Sequence, residues 1–176
     1  MMTSGPTAGT GDAASPSPPR HIIVVGLGNL IRSDDGVGVH AMRRLAGSPR
    51  LPSDASRNIT FIDGGTRALE LVSDAADASH MLILDAVDAD APPGTLIRLS
   101  GSDLASLPAG CSVHQLGIVD WLGALVMLRG RAPEIRILGV QPVDTGWGTT
   151  LTPPIRLGLE QLVEAAIEQL DEWTAG

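Results

Sequence analysis

The chain of 176 residues has little cysteine, little positive charge and no long apolar run. One cysteine cannot form an internal disulfide. Lys and Arg number 12 against 20 Asp and Glu, which gives a net charge of −8 and argues against nucleic acid or an anionic membrane as the partner. No stretch approaches the ~20 apolar residues of a membrane span. We therefore expect a cytoplasmic protein whose partner is another protein or a small molecule.

The N-terminal segment lacks any apolar period. It is rich in Ser, Pro, Gly, Ala and Thr, and it has neither the basic start nor the apolar middle of a secretory signal. We expect a disordered tail over residues 1–20. The remaining residues, 21–176, have the length of one domain with a substantial core.

The domain starts with a β-branched run, Ile22–Val25, that ends at a glycine and predicts a strand buried on both faces. A Gly-rich turn follows, but it is a poor dinucleotide motif because Ile31 stands where the third glycine is needed. The segment Ser33–Asp35 is expected to supply an N-cap and two acids to the helix that follows. Helix-dipole stabilisation accounts for one of these acids, but it does not require two adjacent ones.

Four more strands and three more helices are predicted along the chain. The strands are Ile59–Ile62, Met81–Leu84, Thr95–Leu99 and Glu134–Val140, and the helices are Arg67–Ala76, His114–Leu128 and Pro153–Trp173. The connection Asp88–Pro93 is too short for a parallel crossover, so Thr95–Leu99 should be an antiparallel edge strand. The pattern is that of an α/β fold.

Acidic residues follow the predicted strands where a ligand crevice opens in such sheets. The Asp34–Asp35 pair, Asp63 and Asp85 follow three successive strands, and His114 opens a helix, a donor set that suits nickel, zinc or a related ion. Each has a plainer explanation as well: Asp63 as a turn residue, His114 as a capping or packed residue, and Asp85 as a loop cap or as a hydrogen-bond acceptor behind a ligand, which we favour. Cys111 with His114 would make a nucleophile, but a small, partly buried apolar residue is the simpler interpretation of Cys111.

Five blocks together resemble the nickel-iron hydrogenase maturation endopeptidases. They are Gly26–Val39, Ile62–Thr66, Leu84–Ala86 with Pro93–Thr95, Val113–Gly117 and Leu138–Pro142, in the same order and at similar spacing. The resemblance implies a single three-layer α/β domain, with helices on both faces of a mostly parallel five-stranded sheet and one antiparallel edge strand. This agrees with the pattern above.

The resemblance also implies an activity, a site and a partner. The partner would be the hydrogenase large-subunit precursor, whose C-terminal extension is removed after nickel insertion. The family's metal-binding residues match Asp35, Asp63 and His114, which would contact nickel supplied by the substrate. Helix-dipole stabilisation is then the expected role of Asp34, so replacing Asp34 should be mild. A non-catalytic maturation chaperone that uses the same three residues is the alternative.

Overall fold

The computed structural model describes residues 20–51, 58–66, 77–103, 123, 126–127, 130 and 132–175. The strands are β1 Ile22–Leu27, β2 Ile59–Gly65, β3 His80–Ala86, β4 Leu96–Ser100 and β5 Glu134–Val140. The helices are α1 Val37–Ala46, preceded by a short 3-10 helix Ser33–Gly36, and α2 Pro153–Ala175. The predicted helix Arg67–Ala76, most of His114–Leu128 and residues 1–19 lie outside the described residues. Of the predicted helix His114–Leu128, only Gly123, Val126 and Met127 are described, and all three are helical.

The five strands form one sheet in the order β2-β1-β3-β5-β4. The pairs β1–β2, β1–β3 and β3–β5 are parallel, and β4 pairs antiparallel with β5 at the edge of the sheet. The predicted antiparallel edge strand is thus confirmed. Because β1, β2 and β3 are parallel, their carboxyl ends meet at one edge, which is the edge where the acids were expected.

Helices α1 and α2 cover one face of the sheet. Ile22 and Val24 of β1 are at most 1% exposed and belong to the same buried cluster as Leu45 of α1 and Leu162 of α2. The predicted apolar stripe of the terminal helix is confirmed, since it is the side of α2 that packs here. Among the described residues, no helix combines the length and apolar character needed to cross a membrane.

The opposite face of the sheet is buried to the same degree. Ile23, Val25 and Ile83, which alternate with the residues under the helices, are at most 2% exposed. Burial on both faces explains why the strands are continuous apolar runs instead of alternating ones. The described residues thus form the expected α/β fold, a mostly parallel five-stranded sheet with one antiparallel edge strand.

Two glycines let α1 pack against the ends of β1 and β3. A Cβ on Gly38 would lie 2.1 Å from the carbonyl oxygen of Leu84 and 2.4 Å from that of Leu27, distances that no side chain tolerates. A Cβ on Gly26 would lie 2.7 Å from Met42 of α1. Gly26 and Gly38 therefore serve close packing between helix and sheet.

The start of α1 differs from the expectation that Ser33 caps it. Gly36 is the N-cap residue, and no side chain caps the helix. Ser33 instead has a φ of 45°, and its amide donates to the carbonyl of Gly148 at 2.8 Å. The expectation was wrong because this main-chain bond to a distant loop, and not a local cap, sets the conformation of Ser33.

Candidate functional site

Asp35 lies in the short 3-10 helix between β1 and α1, at the carboxyl edge of the sheet. Its side chain is partly exposed, and its Oδ2 accepts a hydrogen bond from the amide of Asn29 at 3.0 Å. Gly28 makes this approach possible, because it has a φ of 122° and a Cβ there would lie 1.8 Å from the carbonyl oxygen of Asp35. The turn after β1 thus fixes the direction of the Asp35 carboxylate.

The same turn joins Asp35 to the end of β2. The amide of Gly28 donates to the carbonyl of Gly65 at 2.9 Å, while the next amide, that of Asn29, binds Asp35. Asp63 lies two positions before Gly65 in β2 and pairs in register with Gly26 of β1. Two adjacent amides therefore hold the segments that carry Asp35 and Asp63 together at one edge of the sheet.

Asp63 is exposed and paired with Arg43 of α1. Its Oδ2 lies 2.7 Å from Nη2 of Arg43, and the two side chains are 42% and 55% exposed. Exposed ion pairs of this kind contribute about 0–1 kcal/mol. A cation that binds more strongly can therefore displace the guanidinium at little cost.

Asp85 does not share a face of the sheet with Asp63. Leu84 and Asp63 both pair with Gly26, and Leu84 packs in the core under α1, so Asp85, the next residue, points to the opposite face. It is 1% exposed, and its Oδ1 accepts the amide of Ala86 at 2.8 Å. A buried acceptor of this kind is compatible with the preferred interpretation of Asp85 as a loop cap or as a hydrogen-bond acceptor behind a ligand.

The expected role of Asp34 is wrong. Its side chain is 0% exposed and accepts the amides of Val143 at 3.1 Å, Asp144 at 3.0 Å and Thr152 at 2.7 Å, together with the Thr152 hydroxyl at 2.9 Å. Asp34 therefore anchors the loop between β5 and α2 and does not merely stabilise a helix dipole. No local signal separates it from Asp35, because its partners lie more than a hundred positions away in the sequence.

That loop is bound to the Asp35 segment by main-chain contacts as well. The amide of Gly148 donates to the carbonyl of Ile31 at 3.1 Å, and Nε of Arg32 donates to the carbonyl of Thr145 at 2.9 Å. Between these anchors Trp147 is 82% exposed. Sequence reasoning did not single out Trp147, although a tryptophan between two glycines in a polar loop was a signal available to it.

Three histidines lie in the described part of the chain, two of them at the amino edge of the sheet. His21 and His80 lie at the amino ends of β1 and β3, where His21 contacts Thr60 at 3.1 Å and the ring of His80 lies 5.0 Å from that of Trp173. His40 is on α1, and burial lowers its pKa. His21 and His80 are thus at the edge opposite the two carboxylates.

The third predicted ligand, His114, lies outside the described residues, as does Cys111. Within the described part of the chain, no three His, Cys, Asp or Glu side chains are grouped closely enough to hold a metal. The described site therefore consists of two partly exposed carboxylates, which are suitable oxygen donors for a divalent ion but too few to hold one alone.

Comparisons with known proteins agree with one another. A family model described as HycI, hydrogenase maturation protease, matches residues 39–169, a range that contains Asp63 and His114 and begins after Asp35. The hydrogenase expression/formation protein HupD of Bradyrhizobium diazoefficiens is 33% identical over 156 residues, which are 86% of this chain and 79% of HupD. The hydrogenase 2 maturation protease of Escherichia coli is 32% identical and covers 85% of this chain and 87% of its own.

A solved structure shows the same fold. The hydrogenase maturating endopeptidase HybD from E. coli aligns with a TM-score of 0.77 at 32% identity, over 86% of this chain and 93% of HybD. The five-stranded sheet with its antiparallel edge strand thus belongs to a fold that is also found in a hydrogenase maturating endopeptidase. The chain belongs to the hydrogenase maturation protease family.

Proposed function

We propose that this protein is the endopeptidase that removes the C-terminal extension of a nickel-iron hydrogenase large-subunit precursor after nickel insertion. The observation that supports it most is the pair of partly exposed carboxylates, Asp35 and Asp63, held at one edge of the sheet by the Gly28–Asn29 turn. An open pair of oxygen donors suits a metal that arrives on a protein substrate and leaves with it. His114 is the third donor in this proposal.

The roles of the chain's own residues follow from their surroundings. Asp35 is directed by the Asn29 amide and would approach the metal with its orientation already set. Asp63 would exchange the Arg43 guanidinium for the metal, an exchange that costs about 0–1 kcal/mol for an exposed pair. Nickel in the substrate would align the scissile bond and supply Lewis-acid polarisation or an activated water.

Because Arg43 competes with the metal for Asp63, the site suits recognition of a nickel-loaded precursor better than permanent binding of an ion. Two carboxylates and one imidazole, with no thiolate, form an open and comparatively weak site. The isolated protein should therefore purify with little metal. Its selectivity would come from the metal that the substrate presents together with the surface around it.

The test uses nickel-loaded precursor, purified protein and the mass of the large subunit after incubation. Wild type should shorten the precursor, whereas Asp35→Asn and Asp63→Asn should fold normally and leave it intact, because the amide keeps the size but removes the charge that a cation needs. Asp171→Asn is the matched control and should cleave normally, because Asp171 is an exposed acid at the end of α2 that lies near the amino end of β3. Binding by wild type without any shortening would indicate the chaperone instead.

A further variant separates this mechanism from a cysteine peptidase. Cys111→Ala should process the precursor at a rate near that of wild type, since the proposed chemistry does not use a thiolate. Removal of a nucleophile would instead abolish cleavage in a folded protein. That result would replace the metal-centred proposal with a Cys111–His114 mechanism.

A further inference from the structure

We infer that the exposed apolar side chains of Ile31, Val143 and Trp147 form a docking surface for the large-subunit precursor beside the two carboxylates. The inference rests on the proposed function, because the occupant is the substrate of that proposal. Ile31 and Val143 are each 52% exposed, and Trp147 is 82% exposed. The three residues are called the Trp147 surface below.

The Trp147 surface is continuous with the segment that carries Asp35. Main-chain bonds join Ile31 to Gly148 and Ser33 to Gly148, at 3.1 Å and 2.8 Å, and Val143 donates to the buried Asp34. All of these contacts involve residues 31–34, which immediately precede Asp35. A protein that places a metal ion against Asp35 would therefore come close to the loop that carries the Trp147 surface.

The exposed tryptophan is held by an ordered loop. Asp34 accepts hydrogen bonds from both ends of the loop, at Val143 and at Thr152, and Arg32 binds its middle at Thr145. Ordering the loop is thus already accomplished in the free protein, so binding loses little conformational entropy there. A large aromatic side chain presented on an ordered support is the typical energetic centre of a protein interface.

The chemistry of the occupant follows from the surface. An exposed indole such as that of Trp147 can bury roughly 150–250 Å² of its own area against an apolar partner. The precursor should therefore present an apolar segment close to its metal and its scissile bond. The apolar contact would provide affinity for the precursor, and the two carboxylates would contact the precursor's metal only when nickel is present.

The experiment compares wild type, Trp147→Ala, Trp147→Phe and Met127→Ala with nickel-loaded precursor. Both cleavage kinetics and direct binding are measured. Trp147→Ala should raise KM and the Kd for the precursor about 30-fold with kcat within about twofold of wild type, and Trp147→Phe should recover most of the loss. Met127 is the matched control because it is 89% exposed and precedes β5, whereas the Trp147 loop follows β5.

Two outcomes would overturn the inference. The first is a Trp147→Ala protein with the KM and Kd of wild type, and the second is a loss of the same size in Met127→Ala. Thermal unfolding of the variants should match that of wild type, since the side chain is exposed. If wild type leaves the precursor uncut, the proposed peptidase function fails, and the binding measurement alone decides whether the Trp147 surface docks it.

Discussion

Replacing Asp34 with asparagine exchanges one oxygen of a buried carboxylate for an amino group. In the protein, Oδ2 accepts hydrogen bonds from the amides of Val143 and Asp144 and from the Thr152 hydroxyl. Oδ1 accepts a hydrogen bond from the Thr152 amide at 2.7 Å. An asparagine has a single acceptor oxygen, so its amino group must face at least one of these donors. The better orientation keeps the oxygen toward three donors and leaves the Thr152 amide without an acceptor.

The magnitude follows from that count. A hydrogen bond to a charged group contributes about 1.5–3 kcal/mol, and a buried donor left without a partner costs about 1–3 kcal/mol. We therefore expect Asp34→Asn to lower the free energy of unfolding by about 2–4 kcal/mol, a large part of the stability of an ordinary domain. The loss should appear even though no atom is added to or removed from the core packing.

Urea unfolding followed by circular dichroism measures this loss. Asp144→Asn is the control, because Asp144 is an exposed neighbour in the loop and its Oδ1 accepts the amide of Gly146 at 2.7 Å. That variant should lose about 0.5 kcal/mol or less. An Asp34→Asn protein within about 0.5 kcal/mol of the control would refute the anchoring role.

Three further predictions concern packing, charge and pH. Gly38→Ala should destabilise the protein by several kcal/mol because its Cβ would meet carbonyl oxygens of the sheet. Gly123→Ala, whose Cβ would have no atom of the described residues within 4 Å, should be neutral or stabilising in the same urea titration. Arg43→Ala should lower the free energy of unfolding by under about 1 kcal/mol, yet it should tighten the binding of added Ni²⁺ in calorimetry because a competing cation is removed. Arg44→Ala is the control, since it breaks an exposed ion pair with Glu160 and should leave the Ni²⁺ affinity unchanged. Burial lowers the pKa of His80 below 6.5, and the attraction of Glu134 opposes this only in part, so the unfolded chain binds the proton more readily. The free energy of unfolding should then fall as pH drops below about 6.5. In His80→Gln the urea midpoint should depend less steeply on pH than in wild type, and equal slopes in the two proteins would contradict the prediction.

Local sequence patterns were sufficient to predict the strands and the terminal helix. The β-branched run of β1 and the apolar stripe of α2 are each recorded within a short window of sequence, and both elements form as expected. The antiparallel edge strand followed from a connection too short for a crossover. Strand order is different, because it depends on how distant segments pack, and no pattern along the chain records that β1 lies between β2 and β3.

The candidate site was predictable only in part for the same reason. Asp34 and Asp35 are adjacent acids with the same local context, and the resemblance assigned the metal to Asp35. What Asp34 does depends on Val143 and Thr152, which reach it only in the folded chain. Likewise, the pairing of Asp63 with Arg43 depends on the approach of α1 to β2. His114 remains a prediction, because it lies outside the described residues.

The mass of the large subunit after incubation with wild-type protein tests the proposed function most directly. Nickel-loaded precursor should lose the mass of its C-terminal extension, and nickel-free precursor should keep it even with excess protein, because the metal that Asp35 and Asp63 would contact is missing. Full-length loaded precursor, recovered bound to the wild-type protein, would contradict the peptidase proposal. Equal shortening of both forms would contradict recognition through nickel.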